Sequence, residues 1–202
     1  MKFRNLPLGV KIPLGSAGPL VLVAVLGYVC WSSINSLLAT NEMVDHTHVV
    51  IEEAMKAEAS AVDMETGMRG YLLAGQEEFL NPYKGGQENF SKVVGELKIT
   101  VNDNPAQVQL LGEVEETITG WVTNVTTPAI DLRREIGDAK TMNDLAKVVG
   151  EARGKVYFDG FRNQIATFAG REETLMAQRK QAAKDATDTA VASLKIVTDN
   201  TG

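Results

Sequence analysis

Apolar residues follow two regimes along the chain. A charge-free run opens at Ile12 and closes at Ile34, and beyond Glu42 apolar positions recur every three or four residues among acidic ones. At about 1.5 Å rise per residue, the 23 residues of 12–34 are long enough as a helix to cross a hydrocarbon core of ~30 Å. Pro13, Gly15, Gly18, Pro19 and Gly27 weaken an isolated helix, yet membrane helices accept such residues when displaced backbone groups find partners. A signal peptide is the rival reading, since Lys2, Arg4 and Lys11 precede the run. Its apolar core is ordinarily shorter, and no small-x-small cleavage site follows Cys30-Trp31, so an uncleaved anchor is expected.

The second regime predicts helices. Val44, Val49, Val50, Ile51, Met55 and Val62 form a ragged stripe separated by Glu52, Glu53, Lys56 and Glu58, which places a first outer helix at about 41–73. Gly67, Gly70 and Gly75 weaken its end and Pro82 blocks continuation, leaving a short helical piece at 77–80 before a second helix at 83–101. Asp103-Asn104-Pro105 is the clearest break: Asn104 is placed to cap and Pro105 to occupy the first turn. A third helix is expected over 105–136 with a kink at Pro128, ended by Gly137-Asp138. Thr141, with Asp144 as its acidic capping partner, starts a last helix carrying Met142, Leu145, Val148, Val149, Ala152, Val156, Phe161, Ile165, Phe168 and Leu175. Past Arg179 it becomes rich in Ala, Lys, Asp and Thr, as for a long helix returning to the membrane.

The expected fold is therefore all-α: an N-terminal transmembrane helix followed by an elongated antiparallel four-helix bundle. The domains are a basic cytoplasmic N-terminus at 1–11, the membrane helix at 12–34, and an extracytoplasmic domain with its returning helix at 35–202. Most of Phe79, Tyr83, Phe90, Trp121, Tyr157, Phe158, Phe161 and Phe168 should pack in the core, with one or two facing a pocket or partner.

Charge sets the orientation. Residues 1–11 carry three basic and no acidic side chains, while all 26 carboxylates lie beyond the apolar run against 17 Lys and Arg, a net charge of −9 there. The positive-inside rule puts the N-terminus in the cytoplasm and the acidic domain outside. An acidic exterior argues against nucleic acid as partner. Cys30, the single cysteine, sits in the anchor, so the outer domain holds together by packing without an internal disulfide.

One segment, Asp63-Met64-Glu65-Thr66-Gly67-Met68-Arg69-Gly70-Tyr71-Leu72-Leu73-Ala74-Gly75, is more informative than its surroundings. Glu65 and Arg69 are four apart, with the acid first, the favourable order for a helical ion pair. Gly67 and Gly70 remove bulk where the chain turns or another helix approaches. Asp63, Glu65, Arg69 and Tyr71 become ligand candidates if they face a cleft, with Trp121 as a further aromatic wall. Arg133-Arg134, near the end of the third helix, complements the helix dipole or docks an anion. Structural roles are the simpler reading for each of these residues, and ligand contact or signal transmission is the alternative.

Together with Phe79-Leu80-x-Pro82-Tyr83, that segment resembles the signature of a CHASE-type extracellular sensory domain of the third class. The resemblance continues through Asp103-Asn104-Pro105-x-Gln107, Trp121, Pro128-x-Ile130, Arg133-Arg134 and a last stretch with Phe168, Glu172-Glu173, Leu175 and Arg179, covering roughly 44–179. It implies a helical sensor outside the membrane in a bacterial receptor, with a methyl-accepting chemotaxis protein as the expected setting and a histidine kinase or nucleotide cyclase as alternatives. It also implies a second membrane helix and cytoplasmic output modules, so the chain up to Gly202 is expected to be the sensory portion of a longer receptor.

Enzyme and metal signatures are weak. His46 and His48 are the only histidines, and their spacing points them to different helical faces. No phosphate loop or nucleophile elbow occurs, and no cofactor is expected. The expected partners are a second copy of the chain in a homodimer, an unknown small-molecule ligand or binding protein, and the lipid bilayer around Ile12 to Ile34. A membrane-anchored adhesion or interaction bundle is the other class of function.

Overall fold

The computed structural model describes residues 8–136 and 140–199, and the expected cytoplasmic segment 1–11 and stop at Gly137-Asp138 lie largely or wholly outside them. Six α-helices are described: α1 (Leu8–Ala74), α2 (Asn81–Thr100), α3 (Pro105–Trp121), α4 (Thr127–Arg134), α5 (Met142–Gly150) and α6 (Arg153–Asp199). A 3₁₀ turn at Glu77–Leu80 precedes α2, and a π turn at Val122–Thr126 joins α3 to α4. Among the described residues there is no strand, only an isolated bridge between Ile136 and Lys140.

The anchor and the first outer helix, expected as separate elements, form the single helix α1. No breaker lies in the junction Asn35-Ser36-Leu37-Leu38-Ala39-Thr40-Asn41, and Thr40 donates its hydroxyl to the Ser36 carbonyl at 2.9 Å, within the helix. The N-terminal part of α1 is apolar and long enough to cross a membrane, and its apolar window is unburied. Residues 1–45 and 175–202 make one unit of the chain, and residues 46–174 make the bundle described next.

In the bundle α2 runs antiparallel to α1, with Tyr83 beside Gly67 and Gly86 beside Ser60 and Met64. The pair α3 and α6 is antiparallel as well: Gln107 meets Phe168 and Glu172, and Gly154 meets Trp121. The core face of α1 is Thr47, Val50, Ala54, Ala57, Ala61, Met64, Met68 and Tyr71, all buried at alternating three- and four-residue steps. This corrects the expected stripe, because Met55 is 64% and Val62 38% exposed. The inward face carries three alanines, and α2 approaches closely beside it: a side chain on Gly86 would meet the Ser60 carbonyl at 2.6 Å.

Trp121, Phe158, Phe161 and Phe90 form an edge-to-face chain through the core, with centroids 4.8 Å, 6.1 Å and 6.0 Å apart in that order. The Arg162 guanidinium lies 5.6 Å from the Phe158 ring centroid. The expected capping at Asn104 is present, its side chain accepting from the Gln107 amide, as is the Thr141–Asp144 capping box.

Two expected helices are divided. The third is interrupted by the π turn, where the Thr127 amide reaches back five residues to the Val122 carbonyl. Pro128 has no amide to give to Asn124, and the wider turn accommodates that loss at the start of α4. The last is broken at Glu151-Ala152, where Ala152 takes the left-handed conformation at φ 54° and α6 starts afresh. The break leaves Met142, Val149 and Val156 exposed, whereas Leu145, Phe158, Phe161, Ile165 and Phe168 are buried.

Candidate ligand and transmission site

The end of α1 organises the site. Gly75, at φ 72°, closes the helix by donating its amide to the Tyr71 carbonyl at 2.7 Å, the left-handed C-terminal stop that glycine adopts without strain. Last-turn carbonyls lack helical partners, and Arg133 supplies one, its Nε donating to the Leu72 carbonyl at 2.9 Å. The Arg133 guanidinium lies over Gly75 in the space a side chain there would occupy. Arg134 turns to the 3₁₀ segment, donating to Glu77 at 3.0 Å and to Asp131 at 3.1 Å. The basic pair thus fastens α4 to the turn after α1.

Tyr71 is buried beside the same ion pair. Burial and the Glu77 carboxylate push its phenol upward from the ordinary value. The Arg134 guanidinium holds Glu77 below the usual carboxylate range. Tyr71, Glu77 and Arg134 therefore bring the end of α1, the 3₁₀ turn and α4 into one polar cluster.

Gly67 and Gly70 serve close approach. A methyl on Gly67 would stand 2.6 Å from the Tyr83 amide nitrogen and 3.1 Å from the Phe79 carbonyl, and one on Gly70 would stand 2.9 Å from the Phe79 ring. Their spacing puts both on one side of α1, where the 3₁₀ turn and the start of α2 lie flat. Beside them is an open groove of about 260 Å³ lined by Thr66, Gly67, Glu78, Phe79 and Pro82.

The other sequence candidates sit elsewhere. Glu65 and Arg69 form the expected pair at 2.7 Å, but Arg69 is 69% exposed, so solvent screens it and the contribution is at most a few tenths of a kcal/mol. Asp63 is exposed one turn before Gly67. Trp121 is buried in the aromatic chain against Phe158 and forms no part of the groove wall.

Two buried polar links were not singled out from sequence. The Tyr83 and Thr126 hydroxyls meet at 2.9 Å, and since Thr126 donates to the Val122 carbonyl at 3.1 Å, Tyr83 is the donor between them. This ties α2 to the π turn, an element that recurs at functional sites. Gln107 is fully buried, and its amide nitrogen donates to the Phe168 carbonyl at 3.1 Å and to Glu172 at 2.9 Å, tying α3 to α6. A glutamine on the inward stripe with Leu110, Leu111 and Val114 was the available signal. No cluster of His, Cys, Asp and Glu that could hold a metal occurs among the described residues.

The chain is similar in fold to the crystal structure of the sensor domain of the Rhodopseudomonas palustris histidine kinase HK9, with a TM-score of 0.57 at 18% identity over 65% of this chain and 98% of that one. No curated protein matches the sequence. The CHASE3 domain, a non-catalytic sensory domain of bacterial receptors, matches residues 40–182. That span takes in the α1 signature, the α2 contact with it and the α3–α6 link, with the apolar N-terminal part of α1 as the membrane span and the domain outside the cytoplasm. The chain belongs to the CHASE3 domain family.

Proposed function

We propose that this chain is the stimulus-sensing portion of a bacterial transmembrane receptor whose output module is a histidine kinase. The observation that carries the reading is the family membership over 40–182, on a helix that begins in an apolar membrane segment and ends at the signature. The fold likeness to a histidine-kinase sensor domain favours a kinase output over the chemotaxis receptor expected from sequence. Residues 1–11 are assigned to the cytoplasm, 12–34 to the membrane and 35–202 to the extracytoplasmic side. The transmission path is assigned to α1 and α6: a ligand or binding protein that alters the packing around Gly67 and Arg133-Arg134 biases how these two helices sit against each other.

A homodimer is part of the proposal. Met55, Ala59 and Val62 are all exposed and follow one another at a four- and a three-residue step, the spacing of a coiled-coil seam, on the side of α1 opposite its core face, with Leu73 three turns further along the same side. Leu73 is 79% exposed. An apolar seam left exposed among the described residues suits the same seam of a second copy, related by a two-fold axis. Sedimentation of the full chain in detergent is expected to give a dimer that the double substitution Met55→Glu, Val62→Glu converts to monomer without loss of helix signal. A monomer before substitution sinks the dimer, and reporters placed before Met1 and after Gly202 that fall on the same side of the membrane sink the topology.

A further inference from the structure

The groove beside the signature has the chemistry of a defined ligand class. It is lined by Thr66, Gly67, Glu78, Phe79 and Pro82. Phe79 stands apart from the core aromatics Phe90, Trp121, Phe158 and Phe161 in being 43% exposed. It is held there because Gly70 offers no side chain to displace it. The two neighbouring glutamates differ: Glu77 is engaged by Arg134, whereas the Glu78 carboxylate makes no ion pair or side-chain hydrogen bond among the described residues. On the same shoulder of α1, Asp63 is exposed and likewise unpaired, while the nearby cation Arg69 is already neutralised by Glu65. An exposed aromatic ring and an unpaired carboxylate lining one shallow cleft attract a cation that is itself partly apolar.

We propose that this groove binds a small alkylammonium cation, with the charged nitrogen between Glu78 and the Phe79 ring and the alkyl part against Pro82 and Gly67. The assignment rests on the sensory reading above and names its ligand class. A volume of about 260 Å³ matches a compact ligand. The signature glycines also hold the groove's aromatic residue in place, since a side chain at Gly67 meets the Phe79 carbonyl and one at Gly70 meets the Phe79 ring.

The test is isothermal titration of the full chain in lipid nanodiscs with choline and with n-butylammonium. 3,3-Dimethylbutan-1-ol, the uncharged isostere of choline, serves as control. Saturable binding of at least one cation is expected, at least tenfold weaker for the neutral isostere and at least tenfold weaker in both Glu78→Gln and Phe79→Leu. Glu173→Gln, an exposed carboxylate on α6, is expected to leave binding unchanged. Absence of binding by both cations, equal binding of the neutral isostere, or unchanged affinity in either groove variant overturns the assignment. The isostere comparison uses the unaltered protein and so is independent of variant folding. Because binding is read on the chain itself, such a failure leaves the sensory reading standing, which is tested by output.

Discussion

Gly67→Val is expected to cost at least ~3 kcal/mol of stability, while Gly95→Ala, another glycine inside a helix, is expected to add about 0.5–1 kcal/mol. The difference lies in what surrounds each position. A side chain at Gly67 meets the Tyr83 backbone nitrogen at 2.6 Å, and backbone cannot swing aside as a flexible side chain would. Gly95 has nothing within 4 Å, so alanine there only removes the entropic cost of glycine in a helix. Thermal or urea unfolding followed by circular dichroism checks both signs. Equal, small effects at the two positions would mean that α2 does not lie against α1 at the signature.

Phe161→Ala is expected to lower stability by ~3–5 kcal/mol, roughly 10 °C or more in Tm for a domain of this size. Phe161 is fully buried and links Phe90 on α2 to Phe158 on α6, so its removal leaves a cavity bordered by two helices that cannot both close on it. Trp121→Ala belongs to the same class through its contact with Phe158. Phe79→Ala, by contrast, is expected to cost about 1 kcal/mol, because that ring keeps much of its surface in water. A loss at Phe161 no larger than at Phe79 would contradict the aromatic core.

The helical class and most boundaries were legible in the sequence because they follow from local rules. Asn104-Pro105 and Thr141–Asp144 announce helix starts through contacts three residues long. Pro128 marked the right place for a disturbance, but not its form: the π turn also carries Thr126, whose partner Tyr83 lies 43 positions away in sequence. Ala152 carried no warning, as nothing local distinguishes an alanine that takes φ 54° from one that continues a helix. The inward face of α1 was misread because hydrophobicity outranks size in a periodicity count. Ala54, Ala57 and Ala61 take the inward positions between Val50 and Met64, while Met55 and Val62 are turned out.

The candidate site was half legible. The Glu65–Arg69 pair is local and forms as its spacing indicates. Arg133 and Arg134 were visible as a basic pair at a helix end, yet their partners, the Leu72 carbonyl and Glu77, lie 61 and 57 positions away, and only the folded chain brings them together. Gln107 and Glu172 were likewise seen only as members of a resemblance, since a contact across 65 positions leaves no periodic trace.

Sensory transmission through the bundle is tested most directly by joining the chain after Gly202 to a membrane-spanning helix followed by a histidine-kinase output module, which brings the module back to the cytoplasmic side, and measuring autophosphorylation in membrane vesicles. Tyr83→Phe and Gln107→Leu, which cut the buried links of α2 to the π turn and of α3 to α6, are expected to shift basal phosphorylation severalfold at unchanged expression. Arg69→Ala, which opens only the exposed pair, is expected to leave it where it was. Phosphorylation indistinguishable among all three variants and the unaltered chain would contradict a bundle that passes its conformation across the membrane.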